Sequence, residues 1–343
     1  MAIERLTALW ALSESGLGGI LHAMKIPLSG IIVGGFAVIL ISLIGFFAEN
    51  KFASIVKATI VVLLVKFIAS PHSPLQAYFA VSFQGILGAI ILDKISYYKI
   101  GTMLLAVAGL LESAVQKLLI LTVLYGTSFW EAINIFYKNI AGELSIKNTN
   151  ISGSEIIIVA YLSVYLICGI IIGRIAGIFP AHIIRLYSED ESIKKLRILY
   201  LNNKVNFTPA SIASKKRNII KPIIIPVMII LFVFPLSIAT YGFLQGVYLF
   251  IRVIIIISLW YFLLAPFLMK IFRKLLKKKG IVYFNDVENV VRILPFLMNA
   301  AKIIWKESTN KKGIKRWDYF ISELVVFSLT YTFDDTEILN TLG

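Results

Sequence analysis

An all-α, polytopic transmembrane helix bundle of about eight spans is the fold class this sequence predicts, with amphipathic helices in a cytoplasmic C-terminal tail. Three observations predict it. Hydrophobic residues make up 58% of the 343 residues, against about 45–50% apolar in a soluble domain. Stretches such as 222–243 and 248–269 each supply the roughly 20 apolar residues that cross about 30 Å of hydrocarbon. The basic residues collect in the connections on one side of the resulting zigzag, as cytoplasmic loops require.

In order along the chain, hydropathy places spans at 6–22, 28–48, 52–70, 75–92, 101–125, 155–180, 222–243 and 248–269. The first is a retained segment rather than a signal peptide, because Glu14 interrupts its apolar run and no small-residue cleavage site follows. The connection 181–221 holds Arg185, Lys194, Lys195, Arg197, Lys204, Lys215, Lys216, Arg217 and Lys221 against Glu189, Asp190 and Glu191, so it is assigned to the cytoplasm. The run Lys270, Arg273, Lys274, Lys277, Lys278 and Lys279 has no opposing acid and goes to the same side. Those two segments flank a hairpin whose turn, Tyr241 to Val247, is uncharged and faces outward. Counting back puts Arg5, Asp93, Lys94 and Lys99 inside, and the loops 71–74 and 126–154 outside.

The organisation expected is a six-span membrane domain at 1–185, a basic cytoplasmic linker at 186–221, a two-span hairpin at 222–270 and a cytoplasmic or interfacial helical tail at 271–343. In the tail, Val287, Val290, Val291, Leu294, Leu297 and Met298 recur at helical spacing, with Pro295 as a kink point. The segment Trp317 to Tyr331 reads similarly, and Trp305 and Trp317 suit a membrane interface.

The net charge of +15 does not indicate nucleic acid, since it abuts apolar spans and accompanies no recognised binding module. The lipid bilayer is the partner it fits. Cys168, the single cysteine, lies within a span, so neither a disulfide framework nor a thiolate cluster is expected. His22, His72 and His182 fall on different sides of the predicted membrane, which disfavours a shared metal site; no metal and no cofactor is predicted.

Ionisable residues inside spans are the strongest functional pointers, because each costs roughly 2.5–3.5 kcal/mol at a helix centre on insertion scales. Glu14, Lys66, Glu112 and Lys117, with the mid-span amide Gln84, are the candidate substrate- or ion-binding residues. Lys57 and Arg174 sit closer to the inner headgroups, within snorkelling reach. Glu112 and Lys117 are five residues apart and diverge by about 140° around a helix, so each needs another partner. Glu14 with Lys117, or Glu112 with Lys66, are chemically sensible pairings. A structural ion pair and a substrate or proton site both remain open for these charges. Ala11, Ser15 and Gly19, continued by Gly30 and Gly34 on the second span, form a small-residue stripe suited to close helix packing.

Hydrolase, zinc-protease, phosphate-loop and paired aspartate-rich isoprenoid signatures are missing from the sequence, and Asp334-Asp335 lacks the required spacing. This chain alone is therefore no ATPase. Six spans with both ends inside, a short first span striped by Ala11, Ser15 and Gly19, and a Gly-containing connection into the second resemble the substrate-binding components of energy-coupling-factor vitamin and micronutrient importers. The resemblance covers about residues 1–185. It implies substrate entry among the 71–74 and 126–154 loops near Lys66, a transmembrane coupling subunit, and cytoplasmic ATPases as partners. The tail lacks the Ala-Arg-Gly signature of coupling helices, and Met1-Ala2-Ile3 lacks the ligand histidine of the metal-importing branch. The function expected is that of a small-molecule transporter subunit in the cell membrane, not an enzyme. The alternatives are a membrane enzyme of lipid or isoprenoid metabolism and an assembly or scaffold protein.

Overall fold

The computed structural model describes residues 2–18, 28–69, 75–143, 152–188, 243–259 and 282–330, with isolated positions 267, 270 and 274. All regular structure among the described residues is helical. In order, the helices are α1 (Ala2–Leu12), a π-helical turn (Ser13–Leu17), α2 (Ser29–Phe47), α3 (Lys51–Ala69), α4 (Leu75–Lys94), α5 (Tyr98–Tyr125), α6 (Thr127–Glu143), α7 (Gly153–Ser188), α8 (Phe243–Ser258), α9 (Phe284–Glu307) and α10 (Ile314–Thr330).

Five of them are long and apolar enough to cross a membrane: Ser29–Phe47, Lys51–Ala69, Gln76–Lys94, Tyr98–Val123 and Gly153–Leu186. Spans two to six of the sequence reading thus have helical counterparts, and the protein is an all-α chain compatible with integral membrane insertion. The first span differs. Its α-helix ends at Leu12 and gives way to the π turn, where the Gly18 N–H bonds Ser13 O, five residues back. The remainder of 6–22, Gly19 and His22 included, lies outside the described residues. So do His72, the span 222–243 except Phe243, and most of 248–269 beyond Leu259. Phe243 to Val247, read as an outer turn, belong to α8. The 126–154 connection, read as a loop, holds the amphipathic helix α6.

The chain divides into two compact units. The first comprises Met1–Ala114, Leu162–Pro209 and Lys274–Gly343. Its centre is α1, which packs on α2, α3, α9 and α10. Leu6, Ala8, Trp10 and Ala11 are wholly buried there, as are Leu40, Ile41, Leu43 and Ile44 of α2. Asn50 caps α3 by accepting from the Ala53 N–H at 3.0 Å. At the far end of α2, Tyr98 Oη donates to the Ser42 carbonyl at 2.9 Å and pins the start of α5.

Glycines bring α7 close against α5. Gly169, Gly173 and Gly177 recur every four residues along α7 and lie against the α5 backbone. A Cβ on Gly169 would sit 2.9 Å from Val107 Cα, and one on Gly177 3.3 Å from Lys99 Cα. Thr102 Oγ1 crosses the seam to the Gly173 carbonyl at 3.1 Å. With hydrocarbon on both sides there is little hydrophobic drive to bring helices together, so close backbone approach and interhelical hydrogen bonds supply it.

The second unit comprises Val115–Tyr161 and Ala210–Arg273. Gly126, at φ 71°, turns the chain from α5 into α6. Trp130 Nε1 donates to Thr122 Oγ1 at 3.0 Å, holding α6 to the end of α5. A reciprocal Ser-x-x-Glu box opens α7: the Glu155 N–H reaches Ser152 Oγ at 3.3 Å, and Glu155 Oε2 accepts from the Ser152 N–H at 3.0 Å. Asn134 on α6 accepts from the Ser154 N–H at 2.7 Å, so the first half of the amphipathic helix is tied to the end of α5 and to the start of α7.

Candidate functional site

The π turn decides where Glu14 points. Inserting one residue into the helical register rotates the side chains that follow, and such insertions occur frequently at functional sites. Ser13 Oγ donates to the Trp10 carbonyl at 2.8 Å and Ser15 Oγ to the Ala11 carbonyl at 2.6 Å, so both hydroxyl protons are used within their own helix. Glu14 is left as the polar group of this turn that leaves its own helix. Its Oε2 accepts from Lys66 Nζ on α3 at 2.7 Å, with the two side chains only 5% and 3% exposed.

Neither pairing expected from the sequence forms: Glu14 takes Lys66, leaving Glu112 and Lys117 to other surroundings. The reason is proximity of elements, since the π turn packs on α3 and α2. The wholly buried ring of Tyr78, near the start of α4, has its centroid 6.0 Å from Lys66 Nζ. This aromatic edge of the site was not singled out in the sequence, although a tyrosine near the start of a predicted span is the signal that marks it.

Gln84 is buried on α4, where two glycines make room for it. A Cβ on Gly34 would lie 2.9 Å from Gln84 Nε2, and one on Gly109 3.2 Å from its Cγ. The amide therefore occupies a notch between α2 and α5, and Gly34 serves that notch as much as helix packing. Gly30 is looser, with Ser113 Cβ at 3.5 Å and Tyr165 Oη at 3.7 Å from a Cβ built there.

Glu112 follows Gly109 by one turn on α5. It is partly buried, and its Oε2 is enclosed with no hydrogen-bond partner among the described residues. Lys117 is exposed, and no ion pair forms to it among the described residues. Of the five candidates, the structure joins Glu14 to Lys66 directly, seats Gln84 in its notch, and shows no charged partner for Glu112 or Lys117 among the described residues. Ala11 and Gly34 are buried, Ser15 and Gly30 half-buried. Among the described residues no cluster of histidine, cysteine or carboxylates could hold a metal ion.

At the other end of α1 a second buried charge is handled differently. Arg5, 7% exposed, directs Nη1 to the Leu329 carbonyl at 2.9 Å and the Ser328 carbonyl at 3.3 Å. These belong to the last turn of α10, whose carbonyls lack intrahelical donors and carry the negative end of the helix dipole. Glu4 Oε1 accepts from Asn289 Nδ2 at 2.9 Å, and Lys57 Nζ meets Asp286 at 2.8 Å, so α9 is tied to both α1 and α3. Sequence reading used Arg5 and Lys57 only as indicators of the inner face and missed these contacts.

No family model matches the sequence, and neither a curated protein nor a solved structure matches it.

Proposed function

We propose that this is a small-molecule transporter subunit of the cell membrane, with Lys66 and Glu14 at its substrate- or ion-binding site. The observation that carries the reading is the Glu14–Lys66 pair on a π turn within an apolar bundle. A buried ion pair adds little stability, because desolvating two charges offsets most of their attraction and an apolar replacement is often neutral or better. Ionisable side chains at such depth are by default a functional-site hypothesis. Tyr78, Gln84 and Glu112 add the few polar groups that orient a ligand in a largely apolar site.

In this reading both ends of the chain are cytoplasmic and substrate enters beside Lys66 from the opposite face. The resemblance to substrate-binding components of energy-coupling-factor importers extends the proposal to partners: a transmembrane coupling subunit and cytoplasmic ATPases supply the energy. The segments 222–270 and 271–343 are then additions to a six-span substrate-binding core.

The test is a ligand screen by thermal shift on the purified full chain, followed by uptake in cells. A bound ligand raises the midpoint by mass action. The charge-neutral double variant E14Q/K66M keeps the bundle folded, and the expectation is that it loses both the ligand shift and uptake. A double variant that binds and transports as the wild type overturns the assignment of this pair. A purified wild-type chain that turns over lipid without partners replaces transport with enzymatic activity.

A further inference from the structure

The tip of the α9 and α10 hairpin is built unlike the rest of the chain. Between Lys302 and Asp318 there are six basic residues, Lys302, Lys306, Lys311, Lys312, Lys315 and Arg316, against Glu307 and Asp318. Lys306, Lys312 and Lys315 are exposed. Among these charges stand two tryptophans that do not enter the core, Trp305 at 36% and Trp317 at 48% exposure. Their rings lie 5.1 Å apart, and Phe320 meets Trp305 edge-on at 5.2 Å.

The tip is held in shape. Arg316 lies 4.1 Å over the Trp305 ring and donates from Nε to Ser308 Oγ at 3.1 Å, while Ser308 Oγ donates to the Trp305 carbonyl at 2.6 Å. Gly313, at φ 59°, completes the turn with open space where a side chain would be. A fixed aromatic pair ringed by flexible lysines matches one environment well. Indoles favour the boundary between headgroup and acyl chain, and lysines favour anionic headgroups beside it.

We propose that this tip is a docking surface for anionic phospholipid headgroups, with Trp305 and Trp317 entering the interface and Lys306, Lys312 and Lys315 meeting the phosphates. The charge sign selects the occupant: a neutral lipid surface would use the indoles and gain nothing from the lysines. The inference rests only on the chain being embedded in a membrane, not on the transport reading, so either can fail alone.

The experiment uses the full chain in nanodiscs of acyl-brominated phosphatidylcholine, with or without brominated phosphatidylglycerol. Bromine quenches only tryptophans at the acyl boundary. Subtracting the signal of W305F/W317F removes the contributions of Trp10, Trp130 and Trp260. The expected result is quenching of the tip signal at least about twofold stronger with phosphatidylglycerol, abolished in K306Q/K312Q/K315Q and weakened by salt. Those three lysines are solvent-exposed, so their replacement tests the surface without disturbing the core. Equal quenching in both compositions overturns the anionic selectivity. A tip unquenched in either disc overturns the docking surface; if it is also shielded from a water-soluble quencher, a second protein copy is the occupant.

Discussion

The two ends of α1 bury charge in opposite ways. At Arg5 a cation donates to the carbonyls of the last turn of α10, the negative end of that helix's dipole. At Glu14 an anion is met by a full cation, Lys66, and the pair is neutral. The Arg5 arrangement fastens one helix to the end of another, with one guanidinium nitrogen, Nη1, reaching two successive carbonyls. The Glu14 arrangement fastens nothing that apolar side chains would not fasten as well. One end of the helix reads as construction, and the other holds the pair that the proposed binding site uses.

The largest expected effect breaks the neutral pair. K66M leaves a buried carboxylate alone and should cost about 3–5 kcal/mol in a detergent unfolding titration, with E14Q similar and E14Q/K66M recovering most of the loss. A double variant as unstable as either single one would make the pair structural and erase the contrast. The Arg5 end comes next: R5M removes charged hydrogen bonds worth about 1.5–3 kcal/mol each at most, and R5K, which keeps the charge on a stem of different length and donor geometry, should restore only part. Hydrogen exchange should localise the R5M defect to the last turn of α10. Exchange rising equally around Lys66 would show that the two ends are one cooperative unit.

Glycine substitutions sharpen the distinction between packing and site. G169A would press a methyl on the Val107 backbone, which cannot yield as a side chain end can, and should cost about 1–3 kcal/mol by thermal denaturation. G34A meets the movable Gln84 amide instead, so it should destabilise less while disturbing any ligand response. G30A meets only ordinary contacts and should be near neutral. A comparably small effect belongs to Lys57 and Asp286, whose pair is half-exposed on the lysine side; K57M should change stability by less than about 1 kcal/mol, and salt should mask it.

Five membrane-length helices were legible because about 20 apolar residues in a row leave few other solutions, and span positions follow from composition alone. The sequence also singled out Glu14 and Lys66 by their insertion cost. It did not pair them, since 52 residues separate them and pairing depends on which helices touch. The small-residue stripe was sought at Ala11, Ser15 and Gly19 and at Gly30 and Gly34, yet among the described glycines it is Gly169, Gly173 and Gly177 of α7 that lie against a neighbouring helix's backbone. A spacing of four marks a helix face, and many faces qualify; only the neighbour decides which one is used. The Ser152 and Glu155 box was readable as a local pattern and was overlooked beside a segment read as loop.

What the sequence determined by itself was what local chemistry fixes against a uniform solvent: helix class, the positions of five membrane-length helices, and which buried charges need an explanation. Tertiary structure alone decided the partners. Arg5 became a helix cap because the end of α10 lies beside it, and Glu14 found Lys66 because a π turn rotated it toward α3. Hydropathy is a property of each residue in its solvent, whereas a hydrogen bond or ion pair is a property of two residues whose distance no local rule encodes.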